Sequence, residues 1–405
     1  MHFLRKPLCG LLLALGPALP ACAASDWPTL WRQAQQHNLE WRQSSRSADF
    51  MQAEMEQAQT RPNPELSISQ EGQGAQRSRS VQLSMPIETG GKRAARIALA
   101  HSNQALQALE QSQKRQQIQA DLRLAFYEAL AAQQRQTLSH EALTLAQQAH
   151  HLSTQRVAAG KISPQEQART ELALAQAGLD VRQAELALQL SLSRLAGLAG
   201  LPAVPAVQGK LEHSPPAPPW PALQAALEQA PAWRHIQSTQ AQAQAASALE
   251  RSKAMPDLQF AVGLKQTVET APGANPRQLL LSLAIPLPLF ERNQGARGQA
   301  ELRARAAQQD GAAQQLQLQQ QLQQAWRNWR QAQQESWQIG QTLLPQAQQI
   351  VEAALQGFRH GKFSYLELQE AQRSQAALQA RQIQAQLDVW RAIAEVERIN
   401  GPLAP

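Results

Sequence analysis

The chain has 405 residues and a formal net charge of +7, and this length allows more than one domain. Its basic residues are scattered among glutamine and alanine, with no basic run and no interleaved aromatic residues, so a nucleic-acid-binding protein is not expected. After the N-terminal segment, no stretch approaches the ~18 consecutive apolar residues of a membrane-spanning helix. Any membrane span would therefore have to be made of strands.

Residues 1–23 are predicted to be a signal peptide. They begin with basic residues, continue with an apolar run at Leu8–Leu19 and end in small residues, which is the layout of an export signal. Two ways of processing remain open. The segment Ala21–Ala23 fits a cleavage site, whereas Cys22 lies in a sequence that resembles a lipobox and would then carry lipid. Because the mature chain keeps Cys22 or no cysteine, no intrachain disulfide is expected.

The rest of the chain contains an internal repeat with an offset of about 200 residues. Three landmarks recur in the same order and spacing: Arg61–Ile68 with Ala254–Phe260, Leu83–Glu88 with Leu283–Pro288, and Arg156–Ser163 with Gly357–Ser364. We therefore expect two repeats, at 24–200 and 221–405, which are joined by a proline-rich connector at 201–220.

Each repeat is predicted to contain a helix, a strand pair, a long helix and a further helix. The first helix is expected over 26–61. Apolar residues then alternate with polar ones in the strand pairs at 64–88 and 256–288. Each alternating run is close to the ~10 residues that a tilted strand needs to cross hydrocarbon. Soluble hairpins with one buried face would show the same alternation, but export favours membrane strands.

The long helices set the dimensions of each repeat. Residues 89–159 contain no proline and residues 290–356 contain only Pro345, so each would reach on the order of 100 Å as a helix. Two shorter helices stacked end to end match that length, namely 163–197 with 221–254, and 26–61 with 364–400. The predicted fold is therefore mainly α-helical, with two long helical hairpins and four strands.

The far ends of the hairpins carry clear turn signals. Gly160 and Gly361 are placed to end a helix in a left-handed conformation. Three residues later, Ser163 and Ser364 are each followed by a glutamate at the third position, which predicts a capping box at both sites. These exposed tips offer a natural docking surface.

No constellation for catalysis is evident. The segment Thr89–Arg93 lacks the spacing of a phosphate-binding loop, and a strand-to-helix turn explains its glycines. His150 and His151 would face different sides of a helix. Without a nucleophile and base pair or a metal-ligand cluster, we expect no enzymatic activity, no cofactor and no bound metal.

Several segments resemble the TolC-like outer-membrane factor family, most closely its heavy-metal efflux branch of CzcC-type proteins. They are Arg61–Leu66, Pro86–Arg93, Ile285–Gly295 and the two Gly-Lys-x-Ser tips. The resemblance implies a homotrimer in the outer membrane, in which each chain gives four strands to a 12-stranded β-barrel and its helices to a periplasmic tunnel. It also implies two partners, a periplasmic adaptor protein and an inner-membrane RND transporter.

The resemblance further implies which residues act. The adaptor would contact the tips at Arg156, Gly160, Ser163, Phe358, Arg359, Gly361 and Ser364. Glu367 and Glu370 would form acidic rings at the periplasmic entrance, although glutamates that favour a helix N-terminus explain the same pattern. The branch implies heavy-metal cations as cargo, either cobalt, zinc and cadmium or copper and silver, and no residue identifies which. Drug efflux, type I secretion or a helical scaffold without a pore remain alternatives.

Overall fold

The computed structural model describes residues 24–43, 47–72, 77–268 and 277–402. The predicted signal peptide and Cys22 lie outside the described residues. The helices are α1 Trp27–His37, α2 Leu39–Gln43, α3 Ser47–Gln59, α4 Lys92–Ala158, α5 Pro164–Ala199, α6 Trp220–Leu227, α7 Pro231–Lys253, α8 Gln294–Gln338, α9 Leu344–Arg359 and α10 Tyr365–Asn400. The strands are β1 Glu65–Glu71, β2 Arg77–Ile87, β3 Leu258–Val268 and β4 Arg277–Ala284. Within this part of the chain, no helix has an apolar stretch long enough to cross a membrane.

The two long helical tracks are confirmed. Helix α4 runs unbroken for 67 residues, or about 100 Å at 1.5 Å per residue. In the second half, α8 continues through a π-helical turn at Ile339–Leu343 into α9. This wide turn lies directly before Pro345, which has no amide to donate to the carbonyl of Gln341. The helix therefore continues past the proline, and the π-helical turn accommodates the missing backbone hydrogen bond.

The prediction of one helix over 26–61 is wrong, because the chain breaks at Asn38. The Asn38 backbone is extended, its Nδ2 donates to the Leu198 carbonyl at 2.7 Å, and its Oδ1 accepts from the Trp41 amide at 2.8 Å. Asparagine competes with the helix for such bonds. The break also brings His37 against Gly200, where an added Cβ would lie 2.6 Å from the His37 carbonyl oxygen.

The predicted helix over 221–254 is also divided. Helix α6 begins one residue earlier, at Trp220, and ends at Leu227. Helix α7 starts afresh at Pro231, because proline has no amide to continue a helix and is favoured at the first helical position.

The four strands form one antiparallel sheet in the order β1-β2-β3-β4. The two halves meet where β2 pairs with β3, from Arg77 opposite Val268 to Ile87 opposite Leu258. Strand β4 ends at Ala284, short of the predicted row, because Pro286 and Pro288 have no amide to pair with a neighbouring strand.

The predicted alternation places the apolar side chains on one face of the sheet. Leu66, Leu83, Val262 and Leu281 lie side by side across the four strands, and each is exposed in the single chain. The opposite face is largely polar; for example, Ser69 Oγ lies 2.7 Å from Ser80 Oγ, and Gln82 Nε2 donates to Ser282 Oγ at 3.0 Å.

The helices pack in two tiers between the sheet and the tips. The tier next to the sheet has the order α3, α4, α7, α8, and the tier next to the tips has the order α5, α4, α10, α9. Helix α10 also packs along α8. Both tiers are open arrays. In each, a first-half helix lies at one edge and the second-half track lies at the other.

The main core lies where the stacked helix ends meet. It contains Leu122, Phe126, Leu195, Trp329 and Ile393, which are almost fully buried. The proline-rich connector closes this core, since Trp390 Nε1 donates to the Leu211 carbonyl and Trp326 Nε1 donates to the Pro218 carbonyl, both at 2.9 Å. The connector is thus a packed strap between the halves.

The Gly-Gly-Lys segment that follows β2 fastens the halves together. Asp257, just before β3, accepts from the Thr89 amide at 3.0 Å and lies 2.7 Å from Lys92 Nζ. Burial alone would raise the pKa of Asp257, but the Lys92 and Thr89 hydrogen bonds and the charges of Lys92 and Arg96 outweigh burial and hold the pKa below its usual value. The lysine is therefore a structural partner of a carboxylate, in agreement with the strand-to-helix interpretation.

The first glycine of that segment is required by both conformation and space. Gly90 has φ +64°, and an added Cβ would lie 2.6 Å from Cβ of Met255 and 2.9 Å from the Ser252 carbonyl oxygen. Its neighbour Gly91 has φ +73° but open space around it. A side chain at Gly91 would meet only backbone strain, whereas one at Gly90 would also separate the two halves.

Candidate functional site at the paired hairpin tips

The two predicted tips lie side by side and enclose a cleft of about 580 Å³. Five of the predicted docking residues line this cleft, namely Arg156, Phe358, Arg359, Gly361 and Ser364. Gly160 and Ser163 belong to the first turn but do not form the walls. The topology thus brings residues about 200 positions apart in sequence into one surface.

Both turns have the left-handed glycine that the sequence predicts. Gly160 has φ +67° and Gly361 has φ +72°. In the first turn the Lys161 amide donates to the Arg156 carbonyl at 2.9 Å, and in the second the Lys362 amide donates to the Gly357 carbonyl at 2.8 Å. These bonds satisfy carbonyls that the ending helix leaves without partners. The two tips therefore share one backbone design.

The caps of the following helices differ between the tips. Ser364 forms the predicted capping box with Glu367. The prediction for Ser163 is wrong: its side chain makes no cap hydrogen bond, because the Glu166 amide donates instead to the Ser163 backbone carbonyl at 3.1 Å. Pro164 occupies the first helical position, where proline is favoured, and this helix therefore starts without a side-chain cap.

The capping box also bears on the proposed acidic entrance. The Glu367 carboxylate accepts from the Ser364 amide at 2.7 Å and from its hydroxyl at 3.0 Å, which favours the helix-terminus interpretation for this residue. Glu370 is exposed one turn further along α10.

Arg156 links the two tips. Its Nη2 donates to the Phe358 carbonyl at 3.0 Å, and its guanidinium lies 4.4 Å from the centre of the Phe358 ring. A charged donor and a cation–π contact from one side chain hold the turns in register. The sequence placed Arg156 at the tip but did not indicate this bridge.

Phe358 supports the tip from inside. Its ring is only 3% exposed and packs with Ala354, Tyr365 and Leu368. Burial raises the pKa of the Tyr365 hydroxyl, and the charge of Arg373 opposes that shift. Phe358 therefore shapes the surface rather than presenting its ring to a partner.

The tip surface itself is apolar and basic, with two residues that sequence reasoning missed. Phe363 and Leu366 are 44% and 56% exposed. A Cβ added to Gly357 would lie only 2.1 Å from Cδ2 of Phe363. The absence of a side chain at Gly357 therefore makes room for the Phe363 ring. The only sequence signal is that Phe363 and Leu366 are apolar residues within two positions of Ser364. Exposed Lys161, Arg359 and Lys362 give this surface positive charge.

Comparison with known proteins connects this architecture to export channels. The sequence profile described as outer membrane efflux protein matches residues 30–201 and 222–401. The chain is 32% identical to the cobalt-zinc-cadmium resistance protein CzcC of Cupriavidus metallidurans over 361 residues, which cover 88% of this chain and 85% of the relative. It is 28% identical to the nickel-cobalt-cadmium resistance protein NccC of Alcaligenes xylosoxydans over 271 residues, which cover 63% and 59%.

Solved structures share the fold. The outer membrane protein VceC of Vibrio cholerae superposes with a TM-score of 0.75 at 16% identity, covering 92% of this chain and 95% of VceC. CusC superposes with a TM-score of 0.77 at 17% identity, covering 92% and 91%. At these identities the similarity establishes the fold alone.

Proposed function

The chain belongs to the outer membrane efflux protein family, and from this membership we propose that it is the outer-membrane channel subunit of a tripartite efflux system. In this proposal it is a passive exit duct that receives cargo from an inner-membrane RND transporter through a periplasmic adaptor. The observation that supports this proposal most strongly is that the sheet and both helical tiers are open arrays. In each of these three layers, the first half of the chain forms one edge and the second half forms the other.

The two different faces of the sheet support the proposal that this part of the chain lies in the outer membrane. Its apolar face presents Ile68, Leu279 and Leu281, which are 74%, 64% and 65% exposed in the single chain. Contiguous exposed apolar surface of this kind marks an interaction surface. With hydrocarbon on this face and water on the serine and glutamine face, the sheet has the polarity of a wall of a β-barrel.

The open edges support assembly around a rotation axis. Strands β1 and β4 each pair with one neighbour only within the described residues, and open strand edges are not tolerated in lipid. In the sheet and in both tiers, the first half forms one edge and the second half forms the other. One repeated contact therefore closes all three layers, and three copies would give a 12-stranded barrel above a helical tunnel.

A row of leucines on α5 supports the same contact. Leu172, Leu179 and Leu186 recur at a spacing of seven residues and are 72%, 53% and 57% exposed. Seven-residue spacing keeps side chains on one helix face for packing against a second helix. Since α5 is an edge of its tier, we assign this stripe to the interface with the next subunit, whose α9 edge presents the 60%-exposed Ile350.

The tips are the proposed docking site for the adaptor. They combine exposed apolar side chains, Phe363 and Leu366, with the exposed cations Lys161, Arg359 and Lys362. A partner surface with a small apolar socket and acidic residues would complement them. Glu370 on α10 would contribute negative charge near the tunnel entrance under this arrangement.

The proposed cargo is a divalent heavy-metal cation, as the names of CzcC and NccC suggest for those relatives. A strain that lacks the gene should accumulate severalfold more cobalt, zinc or cadmium than its parent, measured by elemental mass spectrometry. A plasmid copy should restore the parental level. Unchanged metal content with increased retention of an organic dye would contradict the metal cargo, and no change in either would contradict an exit duct.

A further inference from the structure

The apolar face of the sheet changes character abruptly at the end remote from the helices. One row runs across all four strands as Gln70, Arg79, Gln266 and Arg277, each directly opposite the next. All four side chains are exposed. This row replaces apolar residues with alternating amides and guanidinium groups.

The preceding rows show how sharp the boundary is. The adjacent row on the same face is Ile68, Val81, Leu264 and Leu279, and the row before that is Leu66, Leu83, Val262 and Leu281. Rows on one face are separated by two residues, or about 6.7 Å along a strand. Arg77, two residues beyond Arg79, extends the basic zone by one further row and is also exposed.

Among the described residues, no carboxylate on this face of the sheet is paired with the zone. Glu71, which follows Gln70 on β1, belongs to the opposite face of the sheet and pairs there with Lys265 at 3.0 Å. Within the described residues, Arg77, Arg79 and Arg277 form no ion pair. Arg79 Nε donates to Gln70 Oε1 at 2.9 Å, a contact that orients the guanidinium across the sheet and leaves its other donors available.

We propose that this basic row binds the phosphate groups of lipids in the outer leaflet of the membrane. The inference rests on the proposed function, which places the apolar rows in hydrocarbon and the helical tunnel in the periplasm, so the strand ends remote from the helices face the outer leaflet. The row then lies at headgroup depth, where a phosphorylated glycolipid presents anionic groups beside its acyl chains. Guanidinium groups donate two parallel hydrogen bonds to phosphate, and Arg79 and Arg277 stand two strands, or about 10 Å, apart.

The proposed ligand is a lipid rather than free phosphate because the arginine charges lie next to apolar side chains. They border a broad apolar surface, and an amphipathic ligand satisfies both features at once. Soluble phosphate would engage only the exposed arginines, whose attraction is screened in salt.

The test is native mass spectrometry of the purified full-length protein in neutral maltoside detergent with added diphosphoryl lipid A. The wild-type protein should retain this lipid, and Arg79→Gln/Arg277→Gln should bind it roughly tenfold more weakly or worse because charge-assisted contacts are lost. The control Arg234→Gln/Arg373→Gln removes two exposed arginines from α7 and α10, which are not edge helices, and should bind as the wild type does. Dephosphorylated lipid A should bind all three proteins equally weakly, and inorganic phosphate should not compete.

Equal retention by the wild type and Arg79→Gln/Arg277→Gln would overturn the proposal, as would equal binding of the phosphorylated and dephosphorylated lipids. Displacement of lipid A by inorganic phosphate would also overturn it. The same spectra report subunit number. A wild-type protein that is monomeric would contradict the proposed function, whereas a trimer that ignores the arginine substitutions contradicts only the lipid site.

Discussion

Replacing Leu179 and Leu186 with aspartate is expected to leave the chain folded but unable to assemble. Both leucines are more than half exposed in the single chain, so their removal costs the isolated subunit little. In an assembly each would bury its remaining exposed half, which contributes about 1–1.5 kcal/mol, and each interface of the variant would instead have to bury two carboxylates. Native mass spectrometry should show monomers, while circular dichroism should show unchanged helix content.

A matched control separates the stripe from added charge. Ala187→Asp/Gln189→Asp places two carboxylates on the same helix at exposed positions, roughly 80° to either side of the stripe. This variant should assemble as the wild type does. Normal assembly of Leu179→Asp/Leu186→Asp would contradict the assignment of α5 to the interface. Loss of helix content would instead identify these leucines as part of the fold.

Combining Arg359→Glu with Gly361→Trp is expected to abolish efflux without disturbing assembly. The first change reverses an exposed cation. The second adds a large side chain at a position where an added Cβ would meet no other residue within 4 Å, so the ring would project into the surface that a partner must approach. Cells with this variant should accumulate as much metal as the deletion strain, while the purified protein keeps its oligomeric mass.

The control for the turn itself is Gly361→Asn. Asparagine tolerates a left-handed conformation, so it carries the positive φ of Gly361 without a bulky projection. Cells with Gly361→Asn should export metal normally. Normal export by the Arg359→Glu/Gly361→Trp variant would remove the docking assignment from this tip.

The general architecture was predictable because its signals are local. Alternation every second residue in β2 and β3, and the absence of proline along α4, depend only on neighbouring residues. Gly160 and Gly361 were predictable for the same reason, since the left-handed helix end is a property of the turn.

The errors arose where distant contacts or competing local bonds decide the outcome. Asn38 breaks the first helix because its amide reaches Leu198, 160 residues away. Ser163 and Ser364 look equivalent in sequence, but their caps differ. The Glu166 amide donates to the backbone carbonyl of Ser163, whereas the Glu367 amide donates to the side chain of Ser364. Pro231 is a local helix-start signal, so the division between α6 and α7 can be predicted from the sequence alone.

The candidate site at the tips shows the same difference between features set by local sequence and features set by packing. The positions of the tip residues followed from the turn signals, but the burial of Phe358 and the exposure of Phe363 depend on packing between α9 and α10. The arginine row depends on strand register, because Arg79 and Arg277 become neighbours of one surface only when Gln266 pairs with both.

The most direct test of a trimeric duct is single-channel recording from the purified protein in a planar lipid bilayer. The wild-type protein should give uniform, long-lived current steps from the fraction with three-subunit mass, and Leu179→Asp/Leu186→Asp should give none. A three-subunit wild-type protein that inserts without passing current would contradict the proposed channel, as would equal current from the variant that does not assemble.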